Sequence, residues 1–272
     1  MEMEPMLDYT GKTVIVTGAR SGIGKATAIA FAKRGANVVV SGRRPCDETE
    51  AIIKENGLGT SKFIKCDVSV EEEVKNLIAE TVDTFGQLNV AVNNAGTNIG
   101  TVDFIDQTTD DYNMIMNVDA RGIFFCMKYE IIEMLKEIEA GTIPFANIVN
   151  VSSVAGLIAD PGMAPYIGAK HAVSGLTRAA GIEYAAKGIR INAIAPGFTA
   201  SEQTQHWIDN PEMCALVASY NYQNRFLPSS VLRRTLSKML WKMPPRMKIP
   251  SVRQCRSWRR VYPPQVAWRR PT

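Results

Sequence analysis

Residues Thr13 to Gly24 read TVIVTGARSGIG, and this stretch decides the fold class. Its first five residues, Thr13 to Thr17, are mostly β-branched or apolar and predict a buried strand. Apolar residues then recur at helical spacing from Gly22 to Lys33, and Gly35 is typical of a residue that ends a helix. The stretch therefore predicts a strand, a glycine-rich turn and a helix in direct succession.

The same alternation continues along the chain as far as Ile194. Further strands are predicted at Val38 to Val40, Phe63 to Cys66, Leu88 to Val92, Ile148 to Val151 and Ile189 to Ile194. The helical periodicity between them is clearest at Val70 to Phe85, Asp111 to Leu135 and Tyr166 to Ala186. Strands that are apolar on both sides need crossovers that hold helices, so we predict a doubly wound parallel sheet in three α/β/α layers.

Composition excludes several other classes of protein. The chain has 272 residues, of which 46% are hydrophobic, and it contains no uncharged apolar run of about 18 residues. Residues Met1 to Pro5 do not resemble a signal peptide, so we expect a cytoplasmic protein without a membrane partner. Its five cysteines form no C-x-x-C pair and its two histidines fit no ligand spacing. Neither a disulfide framework nor a metal site is predicted.

The turn after the first strand is typical of a dinucleotide site. Glycines let the backbone turn sharply and approach a pyrophosphate, and the N-terminus of the following helix offers free N–H groups. The G-x-x-x-G-x-G spacing differs from the commoner G-x-G-x-x-G, and such a turn can also be a simple tight turn. The flanking strand and helix favour nucleotide binding, with contacts predicted at Gly18, Arg20, Ser21, Gly22, Ile23 and Gly24.

The end of the second strand bears on the choice of cofactor. An acidic residue there would bind the ribose hydroxyls of NAD, but the sequence has Ser41-Gly42-Arg43-Arg44. Arg43 can pair with a 2′-phosphate, so NADP is favoured over NAD; the alternative is a solvated arginine loop. Asp67 could accept a hydrogen bond from the adenine amino group or could be a turn residue, and Val68 is a further predicted contact.

Tyr166 and Lys170 are four residues apart and therefore share one face of a predicted helix. A tyrosine acts as an acid and base near neutral pH only when its anion is stabilised, which an ammonium group and a nicotinamide cation can do. The Tyr-x-x-x-Lys spacing is also common on ordinary helix surfaces. By itself it does not predict catalysis.

Six motifs together resemble the short-chain dehydrogenase/reductase family, over about residues 7 to 226. They are Thr17 to Gly24, Asn93-Asn94-Ala95-Gly96, Asn117, Val151-Ser152-Ser153, Tyr166 with Lys170, and Pro196-Gly197. The resemblance implies one Rossmann-like domain, a nicotinamide cofactor, and hydride transfer between that cofactor and a secondary alcohol or ketone. It also implies a homodimer or homotetramer.

The family resemblance assigns a role to each matching residue. Tyr166 would be the general acid or base, and Lys170 would stabilise its anion and bind the nicotinamide ribose. Ser153 would hydrogen-bond the substrate oxygen, with Ser152 as the alternative, and Asn117 would hold a water in a proton relay to Lys170. The implied cofactor contacts also include Asn94, Ala95, Gly96, Tyr166, Lys170, Pro196 and Gly197.

The resemblance ends after Phe226, and the composition changes near the same point. Residues 213–272 hold 13 of the 31 Lys and Arg residues and none of the 27 Asp and Glu residues. We predict that 227–272 is an irregular basic tail, that the last strand of the sheet is missing or non-native, and that oligomer assembly is therefore in doubt. A shifted reading frame explains the composition best.

A genuine basic tail is the competing explanation for 227–272. It could contact nucleic acid, anionic lipid or a partner, although nucleic acid is not the expected partner of the chain. Two alternatives to an active oxidoreductase follow from the tail. One is a non-catalytic dinucleotide-binding protein, and the other is a basic-tail binding protein with a vestigial reductase body.

We expect trypsin to trim the chain back to about residue 225 while the body survives longer, because an irregular segment rich in Arg and Lys is readily cleaved. Mass spectrometry of a timed digest measures this. A tail as resistant as the body would contradict both the reading-frame explanation and the irregular tail.

Overall fold

Six parallel strands form the central sheet of the computed structural model, which describes residues 8–56, 59–212 and 227–228. The strands are β1 (Thr13–Thr17), β2 (Asn37–Gly42), β3 (Thr60–Lys65), β4 (Val90–Asn93), β5 (Ala146–Val151) and β6 (Ile189–Ile194). Their spatial order is β3-β2-β1-β4-β5-β6. The doubly wound parallel sheet predicted from the sequence is therefore confirmed.

Helices connect these strands, and a short one follows β6. They are α1 (Gly22–Ala32), α2 (Asp47–Asn56), α3 (Glu71–Phe85), α4 (Thr109–Ile115), α5 (Gly122–Glu139), α6 (Ala164–Tyr184) and the short α7 (Gln205–Ile208). A π-helical segment, Met116–Arg121, joins α4 to α5, so the single helix predicted over Asp111 to Leu135 is in fact three pieces. None of the helices in the described part of the chain is both long and apolar enough to cross a membrane.

The core lies on both faces of the sheet. On one face, Ile15 and Ile148 pack among residues of α3, α5 and α6. On the other face, Val14 and Val149 belong to a second cluster that includes residues of α1 and α2. Successive residues of a strand point to opposite faces, so in a strand covered on both sides every side chain is buried. Every residue of β1 and β5 is buried, as this requires.

Helix α2 was not among the segments with a clear helical prediction. Its apolar residues Ala51, Ile52 and Ile53 are consecutive, so they do not repeat at the three- and four-residue spacing of an amphipathic helix. The acidic residues Asp47, Glu48 and Glu50 in its first turn and Lys54 in its last turn suit the helix dipole. The charged residues at its two ends are the sequence feature that would have predicted helix α2.

Of the predicted tail, 227–272, the structure describes only Leu227–Pro228. These two residues form a short strand, β8, which pairs in parallel with β7 (Thr199–Ala200). A two-residue strand does not test the prediction of a mostly irregular tail, and the proline is tolerated because the strand is short and at an edge. Within the described ranges the main sheet ends at β6. The remainder of the tail, 229–272, lies outside them.

A buried polar network joins strands β4 and β5 to helices α5 and α6. The side-chain amide of Asn93 donates to Glu130 Oε2 at 2.9 Å and to Asn150 Oδ1 at 3.0 Å, and Asn150 in turn donates to Thr177 Oγ1 at 2.9 Å. Glu130 is only 1% exposed. Burial raises the pKa of its carboxyl from 4.5 to about 8, because the hydrogen bond from Asn93 offsets only part of the cost of desolvating the anion.

Glu130→Gln should remove a pH dependence from the stability of the protein. Between the ordinary pKa of 4.5 and about 8, the folded protein keeps a proton on Glu130 that the unfolded chain has released. The free energy of unfolding therefore falls as pH rises through this window, at up to about 1.4 kcal/mol per pH unit. The glutamine variant should gain about 2 kcal/mol or more over the parent near pH 8 and little near pH 5.

Urea unfolding at the two pH values measures this difference. Glu139→Gln is the matched control, because Glu139 ends the same helix and is exposed. Equal stabilities of parent and Glu130→Gln near pH 8 would contradict the protonated state of Glu130.

Candidate active site

Two adjoining cavities lie at the carboxyl ends of the strands. The first, here the loop cavity, has a volume of about 230 Å³ and is lined by the glycine-rich turn after β1. The second, the tyrosine cavity, has a volume of about 310 Å³ and is lined by residues of β5, α6 and the segment after β6. Ile23, Asn94, Gly96 and Ser201 line both of them. Ligands of doubly wound sheets bind at this end of the strands.

The glycine-rich turn packs closely against the end of β4. Gly18 has a φ of +64°, and a Cβ there would lie 2.9 Å from Asn94 Nδ2. A Cβ on Gly24 would collide with the backbone carbonyl of Gly18. The Asn94 amide donates to the carbonyls of Thr17 (3.0 Å) and Gly18 (3.2 Å), so this predicted cofactor contact also fixes the shape of the turn.

The loop cavity suits the phosphates of a dinucleotide. Helix α1 begins at Gly22, and its N-cap residue Ser21 makes no side-chain cap hydrogen bond. The first N–H groups of the helix therefore keep their capacity to donate to an anion, and the helix dipole adds a partial positive charge. The lining includes most of the predicted cofactor contacts: Gly18, Arg20, Ser21, Gly22, Ile23, Arg43, Asp67, Val68, Asn94, Ala95 and Gly96.

The far end of the loop cavity carries Arg43 and Arg44, both exposed, just after β2. Asp67 lies nearby, but its Oδ1 accepts hydrogen bonds from the backbone N–H (3.0 Å) and the hydroxyl (2.7 Å) of Ser69. Its carboxylate therefore already stabilises a turn. The structure shows the turn role for Asp67 and leaves the adenine contact as a prediction.

Ser153 and Tyr166 line the tyrosine cavity together with Lys170, Pro196 and Gly197. Ser153 is half-buried, and its Oγ accepts a hydrogen bond from Ala155 N at 3.1 Å, a bond that does not use its own hydroxyl hydrogen. The alternative serine, Ser152, is buried.

The Ser152 hydroxyl is engaged inside the protein. It lies 3.0 Å from the carbonyl oxygen of Lys170, to which it donates, and 3.1 Å from Ser174 Oγ. Of the two serines, Ser153 has the hydroxyl with more freedom to meet a ligand.

Lys170 is buried beside Tyr166. Its Nζ is 5.4 Å from the centroid of the tyrosine ring, donates to the carbonyl of Val151 at 3.3 Å, and lies 3.0 Å from Asp119 Oδ2. Burial lowers the pKa of Lys170, but the nearby Asp119 and Tyr166 together raise it by more, so the net shift is upward. The side chain therefore carries its positive charge into the cavity.

Asp119 is the residue of this site that the sequence analysis missed. The prediction placed Asn117 within reach of Lys170, but the side chain in contact with Lys170 belongs to Asp119, and Asn117 lines neither cavity. Both residues lie in the π-helical segment. The sequence signal that could have identified Asp119 is an acidic residue between the apolar residues Val118 and Ala120. A carboxylate buried at such a position needs a partner. The relay role of Asn117 stays a prediction.

The sequence and the fold have counterparts among known proteins. Residues 12–212 match the family described as short chain dehydrogenase. The chain belongs to the short-chain dehydrogenase family. It is an oxidoreductase of the type that acts on CH–OH groups with a nicotinamide cofactor, as the resemblance in the motifs implied. The match covers both cavities and every predicted site residue.

Individual short-chain dehydrogenases show how close the similarity is. The chain is 42% identical over 206 residues to 2,5-dichloro-2,5-cyclohexadiene-1,4-diol dehydrogenase of Sphingobium indicum, covering 75% of this chain and 79% of that protein. It is 43% identical over 200 residues to 3beta-hydroxysteroid dehydrogenase of Mediterraneibacter gnavus, covering 72% and 69%. A crystal structure from Agrobacterium tumefaciens with bound NADP superimposes with a TM-score of 0.77 at 29% identity, covering 85% of this chain and 89% of that one.

Proposed function

We propose that the protein is an NADP-preferring oxidoreductase that interconverts an alicyclic secondary alcohol and the corresponding ketone. One observation carries this proposal: Ser153, Tyr166 and the charged Lys170 line one cavity, which adjoins the cavity of the glycine-rich turn. A hydroxyl donor, a phenol and an ammonium group are the groups that proton transfer at a carbonyl oxygen requires.

Each side chain has a separate part in the proposed reaction. The nicotinamide cofactor, when bound along the glycine-rich turn, supplies or accepts the hydride. Ser153 donates its hydroxyl hydrogen to the substrate oxygen and thereby orients the substrate. Tyr166 gives a proton to that oxygen in ketone reduction and takes it in alcohol oxidation. Lys170, through its positive charge beside the ring, stabilises the tyrosinate that forms when the proton leaves.

The proposed substrate class rests on the lining of the tyrosine cavity and on the relatives. Val154, Ala155, Ile158, Met163 and Phe198 surround the polar groups with apolar surface. A compact ring that carries one secondary hydroxyl or carbonyl group would cover that surface and direct its oxygen at Ser153 and Tyr166. The diol and hydroxysteroid dehydrogenases among the relatives are named for ring-borne alcohols.

The preference for NADP rests on the loop that follows β2. Ser41 is buried and Arg43 and Arg44 are exposed at the cavity, so no carboxylate is present at this point to repel a 2′-phosphate. A guanidinium group can make paired hydrogen bonds to that phosphate. A neighbour with bound NADP supports the same choice.

Tyr166→Phe should lower kcat by about 10² to 10⁴ while leaving cofactor binding nearly unchanged, because it removes the proton donor and keeps the ring. The assay is the change in NADPH absorbance with a panel of cyclic ketones and alcohols. Tyr184→Phe is the matched control, since Tyr184 ends the same helix α6 and lines neither cavity. A Tyr166→Phe turnover within about threefold of the parent would reject Tyr166 as the acid and base.

Arg43→Ala should weaken binding of NADPH by about 1.5 to 3 kcal/mol and hardly affect NADH, because only the first cofactor carries the phosphate that the arginine would pair with. Titration of each cofactor by fluorescence measures the two dissociation constants. Lys54→Ala, which removes an exposed positive charge from helix α2, controls for general electrostatic attraction. If Arg43→Ala weakened the binding of NADPH and NADH equally, Arg43 would be a loop residue without a contact to the 2′-phosphate.

A further inference from the structure

A buried threonine of helix α2 is hydrogen-bonded to the glycine-rich turn. The Thr49 hydroxyl donates to the backbone carbonyl oxygen of Ala19 at 2.8 Å, and both residues are fully buried. Ala19 follows Gly18 in the turn, and its own N–H donates to the carbonyl of Ser41 in β2 at 3.1 Å. The two backbone polar groups of Ala19 are therefore bonded to two different elements, β2 and α2.

The bond from Thr49 sets the direction of the peptide group between Ala19 and Arg20. The described residues contain no cis peptide bond, and in a trans peptide the C=O and N–H groups point in opposite directions. Because the Ala19 carbonyl is turned toward Thr49, the N–H of Arg20 is turned away from α2. Arg20 lines the loop cavity, whereas Ala19 and Thr49 do not.

Helix α2 also follows directly on Arg43 and Arg44, here the arginine loop, which lines the same cavity. Cys46 comes between this loop and the helix, is buried, and has its Sγ 3.9 Å from the carbonyl oxygen of Arg44. The bond from Thr49 to the turn therefore joins the two parts of the cavity lining: the glycine-rich turn on one side and the arginine loop on the other.

A second contact ties α2 to the same region. Lys25 of α1 forms an ion pair with Glu48 of α2, but Glu48 is exposed, and ion pairs at the surface contribute little. The bond from Thr49 is buried, where a backbone carbonyl that lacks a donor is costly. Of the two contacts, the buried one fixes the position of the turn.

We propose that Thr49 is a positioning residue for the cofactor, because its hydroxyl holds the glycine-rich turn with the Arg20 N–H facing the loop cavity. This inference deepens the proposed function and rests on it for the placement of the cofactor in that cavity. Thr49 itself does not touch the cofactor. It acts through the backbone of the turn.

Loss of the hydroxyl has a definite consequence for the cavity. Without its donor, the Ala19 carbonyl gains by turning toward water, and the Arg20 N–H then turns inward with the same peptide group. The cavity would present an acceptor where it now presents a donor, and an acceptor repels a phosphate or a ribose oxygen. NADPH and NADH share the ribose and pyrophosphate groups, so both cofactors should lose affinity.

Thr49→Val tests this, because valine has nearly the shape of threonine and lacks the hydroxyl. It should weaken the binding of NADPH and NADH by a similar factor of about ten, the order expected for losing one hydrogen bond. Fluorescence titration measures both dissociation constants. Thr49→Ser, which keeps a hydroxyl, should restore most of the affinity.

Thr81→Val is the matched control for the loss of a buried hydroxyl. Thr81 is fully buried, donates to the carbonyl of Leu77 at 2.7 Å, and lines neither cavity. Its replacement should leave both dissociation constants unchanged. Equal losses of cofactor affinity in Thr49→Val and Thr81→Val would make lost stability the cause and would overturn the inference.

Amide hydrogen exchange of Arg20 in the parent tests the direction of its N–H without any variant. Nitrogen-labelled protein is followed by NMR with and without NADPH or NADH. The Arg20 N–H should exchange more slowly when either cofactor is bound, because it then donates to the ligand.

The outcomes separate this inference from the proposed function. A folded Thr49→Val that binds both cofactors as tightly as the parent would contradict the role of Thr49. If Thr49→Val does not fold, the exchange of Arg20 decides, and a rate that cofactor leaves unchanged overturns the inference. A parent that binds NADPH but converts no cyclic alcohol or ketone would reject the proposed reaction, while the binding comparison still tests Thr49.

Discussion

The sheet is buried on both faces, and this constraint determines where chemistry can take place. Every residue of strands such as β1 and β5 is buried. Polar groups that bind a ligand therefore have to lie beyond the ends of the strands. All six strands run in the same direction, so their carboxyl ends lie side by side at one end of the sheet. The glycine-rich turn, the asparagine after β4 and the serine after β5 meet there for that reason.

A second consequence of burial is that ionisable groups inside the protein need compensation. The Lys170 ammonium has a carboxylate, a carbonyl and an aromatic ring around it. Glu130 has a single amide donor for the same degree of burial and holds its proton instead. The two groups show that an oppositely charged neighbour, rather than a neutral donor, keeps a buried side chain charged.

Local patterns in the sequence were sufficient for most of the fold and for part of the site. Runs of β-branched residues and the glycine spacing report on neighbouring residues, and they predicted the strands, the first turn and the parallel arrangement correctly. The contact between Asp119 and Lys170 has no such signal, because the two are 51 positions apart and the packing of α6 on the π-helical segment brings them together. Helix α2 was missed because its apolar residues are not periodic.

The π-helical segment has a consequence for how this chain tolerates insertions and deletions. A π turn holds one more residue than an α turn, so it offsets the faces of α4 and α5 by about 100° relative to a continuous helix. Removing one residue from Met116–Arg121 would restore an unbroken α-helix and rotate one part against the other. The core side of α5 and the Asp119 carboxylate could then no longer both face inward. Length at this junction is therefore as constrained as residue identity.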